Sequence, residues 1–256
     1  MTVLLEATGI EKRYGDFAAL RGVDLRVHAH TVHAVIGPNG AGKTTLFHLL
    51  TGSTPVSAGR IVFDGVDVTA EPDHRRVRRG IARSFQVTSL FPNLTVRENL
   101  RLAAQGVAPT QALNCWQAPT GPRACAATVD DVLERVGLAP FAARPAAALS
   151  HGQQRRLEVG MALAAKPKAI FLDEPTSGMG IDDLDAMKRL IRGLRDAHTV
   201  VLIEHNMNIV MDICDTITVM QLGQVLVEGP PRLIRADARV RAAYLGQTDI
   251  TAGGVA

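Results

Sequence analysis

The pattern of apolar and polar positions predicts strands and helices that alternate along most of the chain. Apolar residues at every second position predict a strand with one buried face at 22–27. Residues 31–37 are more continuously apolar, which is typical of a strand enclosed within a sheet. A glycine-rich turn and a helix from about 42 to 51 follow directly. The other predicted strands are 2–7, 59–65, 80–86, 169–173, 199–204 and a hairpin of 216–221 with 224–229, and the other predicted helices are 73–79, 181–197, 206–214 and 230–246.

The middle of the chain has a different character. From Val87 to Ala165 the sequence predicts helices separated by proline and glycine, without a strong strand. The alternation of strands and helices returns from Lys168. An α/β core with a largely parallel sheet, split by a helical insertion, is therefore the expected fold class.

Composition and charge narrow the class of protein. The chain has 256 residues, of which 46% are apolar and 21% are charged, and this indicates a globular protein. A net charge of +3 is too small to imply a nucleic-acid binder. The three cysteines lack CxxC spacing, which argues against a disulfide framework or a zinc site and suits a reducing compartment. No apolar run approaches the ~20 residues that span a bilayer, so we expect a soluble chain whose membrane role requires a partner.

A phosphate-binding loop is the strongest single motif. The sequence GPNGAGKTT at 37–45 fits G-x-x-x-x-G-K-[ST] and lies between a predicted strand and a predicted helix. Glycines allow backbone N–H groups to wrap a phosphate, and the start of the helix adds positive potential. Lys43 would contact the β- and γ-phosphates, and the Thr44 hydroxyl would ligate Mg²⁺. The residues expected to bind the nucleotide here are Gly37, Pro38, Asn39, Gly40, Ala41, Gly42, Lys43, Thr44 and Thr45.

Two consecutive carboxylates, Asp173 and Glu174, follow four apolar residues at the carboxyl end of a predicted strand. Ligands bind at that end of the strands in doubly wound sheets. We expect Asp173 to hold Mg²⁺ and Glu174 to polarise the attacking water. Phosphoryl transfer depends mainly on such positioning and charge stabilisation.

These motifs together resemble the nucleotide-binding subunit of an ATP-binding-cassette (ABC) transporter. The sequence LSHGQQRR at 149–156 is similar to the family signature, and Ser150 with Gln153 predicts a capping box at a helix start, with Gly152 leaving room for close approach. The resemblance implies a P-loop NTPase (RecA-like) core with a mostly parallel sheet, an N-terminal antiparallel β part and an inserted α-helical subdomain. It implies domain boundaries of 1–86 and 156–228 for the core, 87–155 for the helical subdomain and 229–256 for a C-terminal extension.

The resemblance also implies roles for individual residues. Ser150, Gly152 and Gln153 would face ATP held by a second subunit, so that hydrolysis needs a dimer. Gln86 would lie near Mg²⁺ and the water and sense the membrane partner, His205 would contact the γ-phosphate, and Tyr14 would stack on adenine.

The sequence departs from the commonest family pattern at two positions. His151 and Gly180 stand where many cassettes have glycine and aspartate. Because Gly180 lies in the loop after Glu174, the sequence does not establish whether this loop makes the family's usual contact across the dimer. Both departures resemble importers of the branched-chain amino-acid class, whose relatives handle urea and short amides. The cofactors implied are ATP and Mg²⁺.

The implied partners are a second ABC ATPase subunit, identical or different, integral-membrane permease subunits, and indirectly an extracytoplasmic solute-binding protein. This implies a peripheral location at the cytoplasmic face of the membrane, with permease helices docked near Gln86 and 87–99, and no nucleic acid.

Two alternatives stay open. A soluble ABC ATPase could act on nucleic acid or the ribosome, although the chain has no second phosphate loop and no heptads. A nucleotide-dependent regulator would not hydrolyse ATP, but Glu174 and His205 argue against it. The arginine-rich segment 74–83 is expected to be a solvated helix face.

Overall fold

The computed structural model describes residues 2–84, 90–106 and 122–245, apart from the side chains of 122–125 and 245. The chain forms two compact units, one of Met1–Asp73 with Arg195–Ala256 and one of His74–Leu194. Within the described ranges, none of the helices combines the length and the apolar character needed to cross a bilayer.

The first unit contains two groups of strands. An antiparallel sheet has the order β2-β1-β4-β5, and a second group has the order β10-β9-β3-β8. In the second group β3 pairs in parallel with both β8 and β9, whereas β9 and β10 form an antiparallel hairpin. The elements of this unit are β1 (Val3–Tyr14), β2 (Phe17–His28), β3 (Val32–Ile36), α1 (Lys43–Thr51), β4 (Ala58–Phe63), β5 (Val66–Asp67), β8 (Thr199–Ile203), α7 (Met207–Ile213), β9 (Thr216–Gln221), β10 (Gln224–Gly229), α8 (Pro231–Ala236) and α9 (Ala238–Leu245).

The described residues of the second unit are mostly helical and include a short pair of parallel strands, β6 and β7. Its elements are α2 (Asp73–Arg79, which begins at the unit boundary), β6 (Ile81–Arg83), α3 (Val96–Gly106), α4 (Pro122–Arg135), α5 (His151–Ala164), β7 (Ala169–Asp173) and α6 (Ile181–Leu194). Two short 3-10 helices, Ala139–Phe141 and Ala146–Ala148, precede α5.

The burial of β2 and β3 in the first unit agrees with the hydrophobic pattern of their sequences. Val23, Leu25 and Val27 are all buried on one face of β2, and every residue of β3 is buried between two parallel neighbours. His33 can occupy this buried strand because its Nε2 lies 2.7 Å from the Thr218 hydroxyl. Burial lowers the pKa of His33 to about 4, so the ring is neutral near pH 7.

Both predicted tight turns are present. Asp64 and Gly65 connect β4 to β5 with φ values of +49° and +74°. Leu222 and Gly223 connect β9 to β10 with φ values of +51° and +80°. Two consecutive residues with positive φ are typical of a type I′ turn, whose twist suits a two-residue hairpin loop.

Several predicted boundaries were wrong. The first strand runs to Tyr14 rather than residue 7, because β2 pairs with it along its whole length through several register shifts. The predicted helix 181–197 ends at Leu194. The predicted helix 230–246 is two helices, because Asp237 is extended and its carboxylate accepts the Arg239 N–H at 2.8 Å.

The arginine-rich segment differs from its prediction at two residues, Arg76 and Arg83, the second of which lies on β6 with its side chain 14% exposed. Arg75, Arg78 and Arg79 are exposed on α2, as expected for a solvated face. Arg76 is 1% exposed and belongs to the interior.

Candidate nucleotide-binding site

The phosphate-loop residues connect the buried strand β3 to α1. Gly37, Gly40 and Gly42 have φ values of +150°, +77° and +98°, a region that L side chains rarely adopt. A Cβ at Gly37 would also collide with the Met220 carbonyl, and one at Gly42 would lie 2.7 Å from Leu20 Cδ2. Backbone conformation therefore favours glycine at all three positions, and space also requires it at Gly37 and Gly42, whereas a Cβ at Gly40 would meet no atom within 4 Å.

Lys43 is the first residue of α1 and folds back over the loop. Its Nζ donates to the carbonyl oxygens of Gly37 at 2.7 Å and Pro38 at 3.0 Å. The ammonium group therefore lies at the loop, close to where the helix start adds positive potential. Thr44 and Thr45, also in the first turn, are partly exposed.

His205 lies at the same edge of the parallel strands as the phosphate loop. Val35 of β3 pairs with Ile203 of β8. Extending that register by two residues places Gly37 and His205 at the same level. His205 is exposed, and its backbone N–H donates to the buried Glu204 carboxylate at 3.2 Å.

Tyr14 ends β1 and is 52% exposed at a hairpin, opposite Phe17. The Lys12 ammonium lies 5.1 Å from the centre of the Tyr14 ring and donates to the Pro55 carbonyl oxygen at 2.8 Å. One face of the ring is thus covered by a cation that is itself anchored. An exposed aromatic ring held in this way can stack on a nucleotide base.

The two predicted carboxylates lie in the second unit. Asp173 is 3% exposed at the end of β7, and its Oδ2 is 3.7 Å from Arg83 Nη2 on the neighbouring strand β6. Burial lowers the pKa of Arg83, whereas the Asp173 carboxylate acts to raise it. The sequence analysis missed Arg83, although the parallel pairing of the two strands could have suggested it.

Glu174 follows directly and has a positive φ of +47°. A side chain with a Cβ adopts this region at a cost of order 1 kcal/mol, and such strain is concentrated at functional positions. The next residues turn sharply, with the Ser177 N–H donating to the Glu174 carbonyl oxygen at 3.2 Å. The turn directs the chain away from the strand immediately after the carboxylate.

The predicted capping box is confirmed at the start of α5. The Ser150 hydroxyl accepts the Gln153 N–H at 3.2 Å, and the Gln153 side chain accepts the Ser150 N–H at 3.0 Å. Gly152 does permit close approach, because a Cβ there would collide with the Asp183 carboxyl group. The Asp183 carboxylate thus lies beside the first turn of α5, where negative charge is favourable.

The segment that precedes α3 is fixed by another cap. Thr95 and Glu98 form reciprocal bonds, with the Thr95 N–H donating to Glu98 at 2.8 Å and the Glu98 N–H donating to the Thr95 hydroxyl at 3.2 Å. The Asn99 side chain is buried and accepts the Phe91 N–H at 2.8 Å. The T-x-x-E spacing was a signal for this cap that the sequence analysis did not use. Gln86 lies outside the described residues.

Comparison with known proteins decides the family. A model of the ABC transporter family matches residues 20–177, which is more than half of the chain. The chain is also 40% identical over 250 residues to the high-affinity branched-chain amino acid transport ATP-binding protein BraF of Pseudomonas aeruginosa, covering 95% of this chain and 98% of that protein. This chain belongs to the ABC transporter family. It is the ATP-binding, ATP-hydrolysing subunit of such a transporter.

Further comparisons place this ABC ATPase within the family. A model described as branched-chain amino acid ATP-binding cassette transporter matches residues 224–250. The chain is 37% identical to LivG of Escherichia coli K12, another high-affinity branched-chain amino acid transport ATP-binding protein, over 95% of this chain and 98% of that one.

A nucleotide-free cassette from an ABC transporter superposes with a TM-score of 0.83 at 31% identity, covering 95% and 99% of the two chains. The predicted fold class is confirmed, and the transporter prediction holds over the soluble and regulatory alternatives.

Proposed function

We propose that this ABC ATPase powers the import of branched-chain amino acids, or of related small solutes such as urea and short amides, through a membrane permease. The observation that carries the proposal is the 40% identity to BraF across nearly the whole of both chains. The separate match of residues 224–250 to a branched-chain amino acid model supports the same class. The solute itself would contact the permease rather than this subunit.

In this proposal each chain supplies two half-sites. The phosphate loop and Lys43 hold the triphosphate of one ATP, with Tyr14 stacked on the adenine and His205 contacting the γ-phosphate. The Ser150 helix faces the ATP of a second ABC ATPase subunit. The positions of Lys43 over the loop and of His205 at the same strand edge support the first half-site. The capped N-terminus of α5 supports the second.

Hydrolysis requires a water to be activated and negative charge to be stabilised. We propose that Glu174 polarises the water and that Lys43 and His205 stabilise the transferred phosphoryl group. The sharp turn at Glu174 supports this role, because it holds the Glu174 backbone directly after a buried strand.

The residues fit a magnesium ion. Mg²⁺ prefers oxygen ligands, and the Thr44 hydroxyl, the buried Asp173 carboxylate and the Gln86 amide oxygen would provide them. The bound ion would neutralise charge on the β- and γ-phosphates. The Arg83 guanidinium, 3.7 Å from Asp173, would help to orient that carboxylate.

The permease partner would bind near Gln86 and the segment up to Asn99, and the protein would lie at the cytoplasmic face of the membrane. The Asn99 and Thr95–Glu98 contacts support a fixed surface there, since they hold residues 91–95 against α3. An extracytoplasmic solute-binding protein would act indirectly, through the permease.

The test is solute uptake in the native host after deletion of this gene. Uptake of labelled leucine, isoleucine, valine and urea is compared with uptake of an unrelated sugar. We expect uptake of at least one of the four solutes to fall to background and to be restored by the wild-type chain but not by Glu174→Gln. Unchanged uptake of all four would contradict the proposed solute class.

A further inference from the structure

A cavity of about 360 Å³ lies in the unit His74–Leu194, between the end of α4 and helices α5 and α6. None of the residues assigned above to ATP or Mg²⁺ lines it. Three arginines line the cavity, Arg135, Arg156 and Arg189. Its volume falls in the range of sites that bind small organic molecules.

The positive charge around this cavity is only partly balanced. Arg135 pairs with Asp131 at 2.9 Å, and Arg156 lies 3.5 Å from Asp183. Arg189 is exposed and makes no hydrogen bond or ion pair with any part of the chain that the structure describes. One uncompensated positive charge therefore remains at the cavity.

Arg156 is held in place while retaining capacity to donate. Its side chain is 13% exposed, and Nη1 donates to the Val136 carbonyl oxygen at 3.2 Å. Its Nε is buried, so a ligand would meet the N–H groups of Nη1 and Nη2 that the bonds to Val136 and Asp183 leave unused. A Cβ at Gly137 would lie 3.0 Å from Arg156 Nη1, so the chain turns closely around the guanidinium group.

The remaining lining is apolar or small. Val136, Leu190 and Leu194 are 1%, 8% and 2% exposed, and they line the cavity together with Ala186. Gly193 also lines it, and a Cβ built there meets no atom within 4 Å. The cavity thus combines an apolar wall, open space and cationic groups.

We propose that this cavity binds a small organic monoanion, a carboxylate attached to a compact apolar group. The carboxylate would contact Arg189 and Arg156, whose guanidinium groups suit planar oxyanions. The apolar group would pack against Ala186, Leu190 and Gly193, because Val136 and Leu194 are almost fully buried already. One negative charge matches the one unbalanced positive charge.

Isothermal titration of the purified, nucleotide-free chain tests this site with three probes. Hexanoate carries both features of the expected ligand, acetate carries only the charge, and 1-hexanol carries only the apolar chain. We expect hexanoate to bind with one-to-one stoichiometry and at least about tenfold more tightly than either other probe, because it uses both contacts.

Two variants locate the binding. Arg189→Gln removes the unpaired charge and should weaken hexanoate binding about tenfold or more, whereas Arg192→Gln, on the same helix but outside the cavity, should not. Gly193→Leu adds a side chain in open space and should also reduce binding. The proposal is overturned if hexanoate binds no better than hexanol, or if neither Arg189→Gln nor Gly193→Leu changes its affinity.

Discussion

Glu174 has a left-handed backbone at a position where a glycine would be less strained. The sequence analysis predicted its chemistry from its place after a strand, but it could not predict its φ of +47°. A strained backbone conformation persists because tertiary contacts hold it, and a local sequence pattern carries no information about those contacts. Arg83 beside Asp173 and Asp183 beside Gly152 were missed for the same reason, since both are contacts between residues distant in sequence.

Lys43→Ala tests the phosphate loop. We expect it to weaken nucleotide binding by about 1.5–3 kcal/mol, the scale of a hydrogen bond to a charged group. Titration with a fluorescent ATP analogue measures the change, and Lys188→Ala, a lysine paired with Asp185 outside the loop, serves as the matched control. Equal affinities in Lys43→Ala and the wild-type chain would refute the assignment.

Helices and strands were predicted well where a local signal sets them. The box of Ser150 and Gln153, the Asp64-Gly65 turn and the alternation in β2 all depend on residues close in sequence. The length of β1 was not predicted, because its polar second half is held by pairing with β2. The break at Asp237 was also missed. The Asp237 carboxylate accepts a backbone N–H and so ends the helix, but the sequence alone does not distinguish this aspartate from one inside a helix.

Ser150→Ala tests how much the N-terminal cap stabilises α5. Loss of the hydroxyl leaves the Gln153 N–H without its acceptor, so we expect a loss of about 1 kcal/mol in the free energy of unfolding. Urea denaturation of the nucleotide-free chain measures this effect. Ser150→Thr retains a hydroxyl and should stay close to wild type, and equal destabilisation by both variants would show that the cap is not the cause.

At the scale of the whole molecule, the residues proposed to act on ATP are divided between two compact units. The phosphate loop, Tyr14 and His205 belong to the unit formed by the two ends of the chain. Asp173, Glu174 and the Ser150 helix belong to the unit 74–194. Of the second unit, the Ser150 helix is the part proposed to meet ATP that is held by the other subunit of a dimer.

Light scattering coupled to size-exclusion chromatography of the Glu174→Gln variant tests that dimer most directly. The substitution keeps a side chain of the same size at the strained position and removes the charge that would polarise water. With ATP and Mg²⁺ we expect a stable dimer, and with ADP, or in the Glu174→Gln/Lys43→Ala variant, a monomer. A Glu174→Gln chain that stays monomeric at saturating ATP, or dimerises equally with ADP, would contradict the shared nucleotide site.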